Sequence, residues 1–278
     1  MAGLMAAFVS PLTGPIIKRF ELVPTMRVLY LFAAVMMTSK AFVTNALVTE
    51  TQQGQVRMRE TQGQPLLAVL RGTPQILKQI LRSPITLVTG GLIVVMGVYR
   101  VVHGTFWSIL VTQKLQVPAQ YLALYPFARS ITTLLFFFLG MPRLRRLDTR
   151  TPLLLGLLGL ILSQAILIFI PAGSYLLLLL VTIVEGCSLP MASTHIEKLV
   201  VVTVDAQERA RIMAILYTVV LVFTSPFGWI AGRISEVDRS LPFALLLATL
   251  VVGVGLTYLG SRMARAKAPV PATVEQPT

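Results

Sequence analysis

Apolar runs of one recurring length divide this chain. Seven of them, at residues 28–48, 85–111, 121–141, 153–170, 175–191, 212–230 and 241–259, lie near the length that a helix needs to cross a bilayer. That length is ~20 residues for a ~30 Å hydrocarbon layer. A soluble domain would have to surround such runs with a polar exterior. With 55% hydrophobic and 13% charged residues, the chain has too few charges to build one. A membrane β-barrel would need segments of roughly ten residues that alternate apolar and polar. "LLLGLLGLILSQAILIFI" has no such alternation. The expected fold is therefore an all-α polytopic membrane protein.

An eighth run, "AGLMAAFVSPLTGPII", precedes Lys18 and Arg19. A signal peptide carries its positive charges before the apolar stretch. Here they follow it, and Pro11, Gly14 and Pro15 interrupt it. It reads as a membrane helix whose beginning is missing, which brings the expected total to about eight transmembrane helices.

The net charge of +13 would suggest nucleic acid as the partner of a soluble protein. In this chain the basic residues flank the apolar runs, so they bear on topology and anionic lipid, and no nucleic-acid partner is expected. One face collects 15 Lys and Arg, from 49–83, 143–150, 198–211 and 262–267. The other face holds 6, and Lys40, Arg100 and Arg129 fall within spans. The bias places both termini in the cytoplasm, and a bacterial plasma membrane is the expected location.

The chain divides into two spans (1–48), a cytoplasmic linker (49–83), six spans (84–263) and a Pro-rich tail (264–278) expected to be disordered. In the linker, Leu66, Leu67 and Leu70, then Ile76, Leu77, Ile80 and Leu81, recur at helical spacing, with Lys78 and Arg82 on another face. Short amphipathic helices broken at Gly72-Thr73-Pro74 fit that pattern.

Two spans, a basic cytoplasmic linker and six further spans resemble the later two-thirds of a major facilitator superfamily transporter. "SPLTGP" is similar to the Gly-Pro-bearing fifth helix of that family. "ERARIMAILYTVVLVFTSPFGWIAGRISEVDRSLPF" is similar to the eleventh helix and its turn into the twelfth. "GMPRLRRLDTR" stands where the family repeats Gly-x-x-x-Asp-Arg-x-Gly-Arg-Arg. Gly140 and the basic residues match, but Leu144 and Leu147 replace the acid and the second glycine. The resemblance assigns the spans to helices five to twelve. It implies a truncated chain holding one six-helix half and two preceding helices, with a solute site at the midplane between two halves. Pro226 and Gly228 would let the eleventh helix bend.

An ionisable side chain at the bilayer centre costs at least ~2.5–3.5 kcal/mol, so each one needs a partner, water or a function. Arg100, His103 and Trp107 are three and four residues apart, with Tyr99 beside them and Met96 a turn earlier. The resemblance makes this helix seven, facing a cavity. One reading is a solute-binding patch of Tyr99, Arg100, His103 and Trp107; the other has Arg100 snorkelling to headgroups and Trp107 in the interfacial belt. Glu185 lies deep in "TIVEGCSLPMAS", where Gly186 and Pro190 would loosen the backbone as in interrupted transport helices. Burial favours the neutral form of an unpaired carboxyl, which suits proton coupling. The alternative is a structural ion pair with Arg129. Lys40 suits packing or an interhelical polar contact, and His195 and Glu197 suit cytoplasmic water.

Metal and cofactor chemistry find no foothold. Cys187 is the single cysteine and suits a structural thiol. His195 and Glu197 are two apart, so they do not share a helix face as metal ligands would. No Gly-x-x-x-x-Gly-Lys phosphate loop or catalytic nucleophile motif occurs. The expected function is secondary active transport of a small solute, proton-coupled, with no cofactor and no enzymatic activity. The alternatives are an inactive fragment, or a membrane-embedded enzyme using Glu185 and His103.

Overall fold

The computed structural model describes residues 22–47, 83–144, 147–148, 150–203 and 209–266, with isolated positions between 49 and 59. The run at 2–17, the expected amphipathic helices of the linker, and residues 267–278 lie outside the described residues. Among the described residues every regular element is helical, and seven helices are long and apolar enough to cross a membrane. The protein is an all-α polytopic membrane protein.

The seven spans are α1 (Leu22–Leu47), α2 (Pro84–Ile109), α3 (Leu124–Leu135), α4 (Arg150–Phe169), α5 (Tyr175–Thr203), α6 (Arg209–Val237) and α7 (Leu241–Ala266). A π-helical turn, Leu110–Lys114, lengthens α2, and another, Phe136–Gly140, lengthens α3. Local chemistry sets several ends. Ser83 caps α2 by accepting from the Thr86 amide at 3.4 Å, and Pro84 takes the first helical position, where no N–H is needed. The turn between α4 and α5 needs left-handed backbone at Gly173 (φ 81°), which glycine adopts at no steric cost. Helix α7 runs to Ala266, three residues into the segment expected to be disordered, because Ala264 and Ala266 extend the helix past the last apolar residue.

Helix α2 is the hub. It packs on α7, α6 and α5, while α4 joins α5 to α7 and α3 lies against α5. Leu92 and Val98 of α2, Leu157 and Leu160 of α4, and Leu246 and Leu250 of α7 are fully buried between these helices. Outward, Phe138, Phe169, Leu176 and Trp229 are exposed, as expected where lipid takes the place of water. None of the apolar window of α1 is covered, and Lys40 is exposed there without a described hydrogen bond or ion pair.

Since lipid tails are as apolar as leucine, helices in a membrane associate through close fit rather than through further hydrophobic gain. The tightest fit joins α4 to α5. A Cβ on Gly156 would lie 2.7 Å from the backbone nitrogen of Ala192, so only glycine admits that approach. His195, which the sequence suggested would face water, is buried on α5. Its Nδ1 donates to the Met191 carbonyl at 2.7 Å, one turn back on α5, while Glu197 stays exposed.

A candidate membrane-embedded polar site

The local sequence of α5, Glu185-Gly186-Cys187-Ser188-Leu189-Pro190, builds one wall of the site. Pro190 has no backbone N–H, so the Gly186 carbonyl, four residues earlier, loses its helical donor. Thr133 of α3 supplies a replacement, its hydroxyl donating to that carbonyl at 2.9 Å. Gly186 also lets α3 come close, since a Cβ there would sit 3.2 Å from the Arg129 carbonyl and 3.0 Å from the Thr132 Cβ. Both proline-bearing helices are continuous: α5 runs through Pro190, and α6 runs through Pro226 and Gly228. The reason at Pro190 is visible, because the proline's missing bond is replaced from a neighbouring helix.

With α3 held close, Arg129 reaches the buried acid. Its Nη1 donates to Glu185 Oε1 at 3.1 Å, and Glu185 itself is 2% exposed. From α2, His103 brings Nε2 to 3.2 Å from the other carboxylate oxygen, Oε2. The contact is within ion-pair distance, although Nε2 makes no hydrogen bond among the described residues. Three helices thus converge on one carboxylate: α2 with an imidazole, α3 with a guanidinium, and α5 with the acid itself.

Aromatic rings close the site. Tyr99 stacks on His103 with ring centres 5.1 Å apart and planes 17° from parallel, and Phe243 of α7 meets the imidazole edge-on at 6.2 Å. The Tyr99 hydroxyl is buried without a described hydrogen bond. Trp107 packs edge-on against Tyr125 of α3 at 6.1 Å. Beside these rings opens a cleft of about 310 Å³, lined by His103, Gly104, Trp107, Ser108, Leu122, Ala123, Pro126 and Arg129.

The residues singled out from sequence therefore separate. Tyr99, His103, Trp107, Arg129 and Glu185 come together. Arg100 does not join the buried group; it is exposed on α2 and makes no hydrogen bond or ion pair among the described residues. The cause is helical register, since Tyr99 and His103 stack at four-residue spacing and Arg100 is rotated to their side. Pro190 serves the site through Thr133, whereas Pro226 and Gly228 lie on α6, away from the carboxylate cluster. Thr133, Tyr125 and Phe243 were not foreseen. Cys187 is free and half-buried, and among the described residues no group of three potential ligands could hold a metal ion.

A larger groove of about 620 Å³ lies between α2, α6 and α7. It carries no polar chemistry, because the hydroxyls of Thr86 and Thr249 are already committed to Ser83 and to the Leu245 carbonyl. Neither a scan of the chain against protein-family models nor a search of curated protein sequences finds a match. The chemistry of the site rests on its own geometry.

Proposed function

We propose that this membrane protein is a secondary transporter of a small solute, with Glu185, His103 and Arg129 as its charge-coupling centre. The single observation that carries the reading is a carboxylate buried within the spans and shared by an imidazole and a guanidinium from two other helices, both of which line an open cleft. A charge placed there for stability alone would be an inefficient choice, since a well-packed apolar residue serves a buried position as well or better. Charge held inside a membrane is otherwise a mark of solute or proton paths. A proton gained by the carboxylate would release Arg129 for a different contact. Such an exchange of partners lets one protonation event favour one arrangement of three helices over another.

In this reading α2–α7 form one half of a major-facilitator-type transporter, and the excess of Lys and Arg at 143–150 and 198–211 puts those loops in the cytoplasm. Movement of solute would follow from rocking of this unit about its cleft. The test is an uptake screen with the full chain in proteoliposomes, run with and without an inward proton gradient. Accumulation of a solute that depends on the gradient supports the proposal. If no solute moves under either condition, the transport reading is wrong.

A further inference from the structure

We infer that the seam between α3 and α5 binds an anionic phospholipid, its phosphate at Arg143 and one acyl chain laid along α3 toward Cys187. The first ground is position. A groove of about 410 Å³ opens between the two helices and shares no lining residue with the cleft beside the carboxylate cluster. Its lining on α3 runs from Thr132 to Arg143 at the spacing of one helical face, and Ile183 and Cys187, one turn apart, line it from α5. Thr132 and Cys187 stand near the middle of the spans Leu124–Leu144 and Tyr175–Val201, while Arg143 is one residue from the end of the first. The eleven residues from Thr132 to Arg143 cover ~16 Å at ~1.5 Å per residue, about half of a ~30 Å hydrocarbon layer. The groove therefore runs from the membrane edge to the midplane, which is the depth of one leaflet.

The second ground is the shape and chemistry of the walls. Leu135 and Leu139 are exposed, as are Phe137 and Phe138 beside them, so this side of α3 meets lipid. Leu135, Phe136, Leu139 and Ile183 offer water no hydrogen bonds, and a void left there would forfeit dispersion contacts. An acyl chain supplies both the apolar surface and the length. The π-helical turn Phe136–Gly140 lies within the groove, and such turns are frequent at functional sites. A Cβ on Gly140 would lie 2.6 Å from the Phe136 ring, so glycine is what lets that ring lie back along α3.

The third ground is charge, which selects the headgroup. Between residues 141 and 150 four arginines stand against a single acid, Asp148, and that acid lies 3.9 Å from Arg150. Arg143 makes no ion pair among the described residues. Its Nη1 donates to the Leu139 carbonyl at 2.6 Å, one turn back, which folds the guanidinium over the mouth of the groove. A guanidinium has five N–H donors in a planar fork that matches phosphate oxygens, so donors remain for a headgroup. Basic residues between helices at a membrane surface recognise anionic lipids in this way. A zwitterionic lipid brings its own ammonium to the phosphate, so the anionic headgroup gains more from Arg143.

The experiment uses the full chain in phosphatidylcholine nanodiscs holding a trace of phosphatidylglycerol with a photoreactive diazirine near the end of one acyl chain. Mass spectrometry maps the crosslinked peptides. Crosslinks are expected on α3 and α5 around Thr132 and Cys187. Unlabelled phosphatidylglycerol should displace them, while added phosphatidylcholine and inorganic phosphate should not. Arg143→Gln should raise the phosphatidylglycerol needed for half-displacement about fivefold, the ordinary worth of one basic residue at an anionic surface. Leu139→Trp, at an exposed position of the groove wall, should fill the groove and remove the crosslinks without altering thermal stability. Arg262→Gln, whose guanidinium lies over Tyr258 on α7, is the control and should change nothing. Crosslinks spread evenly over lipid-facing positions such as Phe169 and Leu176 would overturn the inference. Displacement by phosphatidylcholine or phosphate as effective as by phosphatidylglycerol would do the same, as would an Arg143→Gln variant that behaves like wild type or like Arg262→Gln. Solute movement plays no part in this readout, so either result leaves the transport reading to its own test.

Discussion

Arg129 and Glu185, 56 residues apart in sequence, meet at 3.1 Å across the contact between α3 and α5, with Glu185 2% exposed. Removing one partner of a buried pair leaves an uncompensated charge, which costs about 3–5 kcal/mol. Arg129 is partly exposed, so Arg129→Ala should fall at the lower end of that range, whereas Glu185→Ala, which strands both Arg129 and His103, should cost no less. Replacing both together, Arg129→Met with Glu185→Leu, should recover most of the stability while leaving solute movement abolished. Thermal unfolding in detergent alongside flux in proteoliposomes reads both. A double variant that stays as unstable as the single ones would show that the pair is not what holds α3 to α5.

Thr133 and Pro190 should be coupled, because the proline creates the vacancy that the hydroxyl fills. Thr133→Val leaves the Gly186 carbonyl unsatisfied and should destabilise by about 1–3 kcal/mol. In a Pro190→Ala background the helix regains its own donor, so the same Thr133→Val change should cost clearly less. A double-mutant cycle measures the difference. Equal costs in the two backgrounds would mean that the carbonyl is satisfied some other way.

Gly156→Leu should prevent the close approach of α4 and α5, since even a Cβ would lie 2.7 Å from the Ala192 backbone nitrogen. Overpacking of that kind costs about 1–3 kcal/mol or more. Gly255→Ala on α7, where nothing lies within 4 Å of the added Cβ, should be neutral or stabilise by about 0.5–1 kcal/mol. Unfolding midpoints of the two variants should therefore move in opposite directions or differ widely.

A clasp at the end of α2 yields a pH prediction. Lys114 donates to the Ile168 carbonyl at 3.2 Å and to the Ser240 hydroxyl, and Asp238 accepts from the Ser240 amide at 2.7 Å. That amide holds the Asp238 carboxyl below its ordinary value, helped by the Ser240 hydroxyl and by Lys114. A lowered folded pKa means that the stabilisation is fully present above the unfolded value near ~3.9 and fades as pH falls through the folded one. The effect should be small, because the carboxyl is exposed. Asp238→Asn should flatten the acid limb of a stability-versus-pH curve, and Lys114→Met should raise amide exchange around 171–174 and 238–241. An unchanged acid limb in the Asn variant would remove Asp238 from the clasp.

Much of the fold was legible because bilayer thickness imposes one length on every span. The runs at 85–111, 153–170 and 241–259 coincide closely with α2, α4 and α7. The site was legible only in part. Buried Glu185 and Arg129 announced themselves as charges in apolar runs, but nothing in a one-dimensional pattern fixes which side of a helix meets which neighbour. Arg100 and His103 looked alike from sequence, and a rotation of three residues about α2 put one inside and one outside. The role of Pro190 was legible only in part for the same reason: loss of a hydrogen bond within one helix predicts a loosened backbone, and the repair by Thr133 comes from a contact between helices. His195 was placed in water because its neighbours Glu197 and Lys198 are charged, while its own face is that of Met191 and Ala192, one turn back and buried.

Solute-driven proton flux tests the central claim most directly. The full chain is reconstituted into liposomes loaded with a pH-sensitive dye, and small solutes of different charge are added in turn. Wild type is expected to move protons in response to at least one solute, and Glu185→Gln, which removes the shared charge while keeping the shape, is expected to lose that response although still folded. A folded Glu185→Gln variant that couples solute to protons as well as wild type would contradict the assignment of Glu185 as the coupling group.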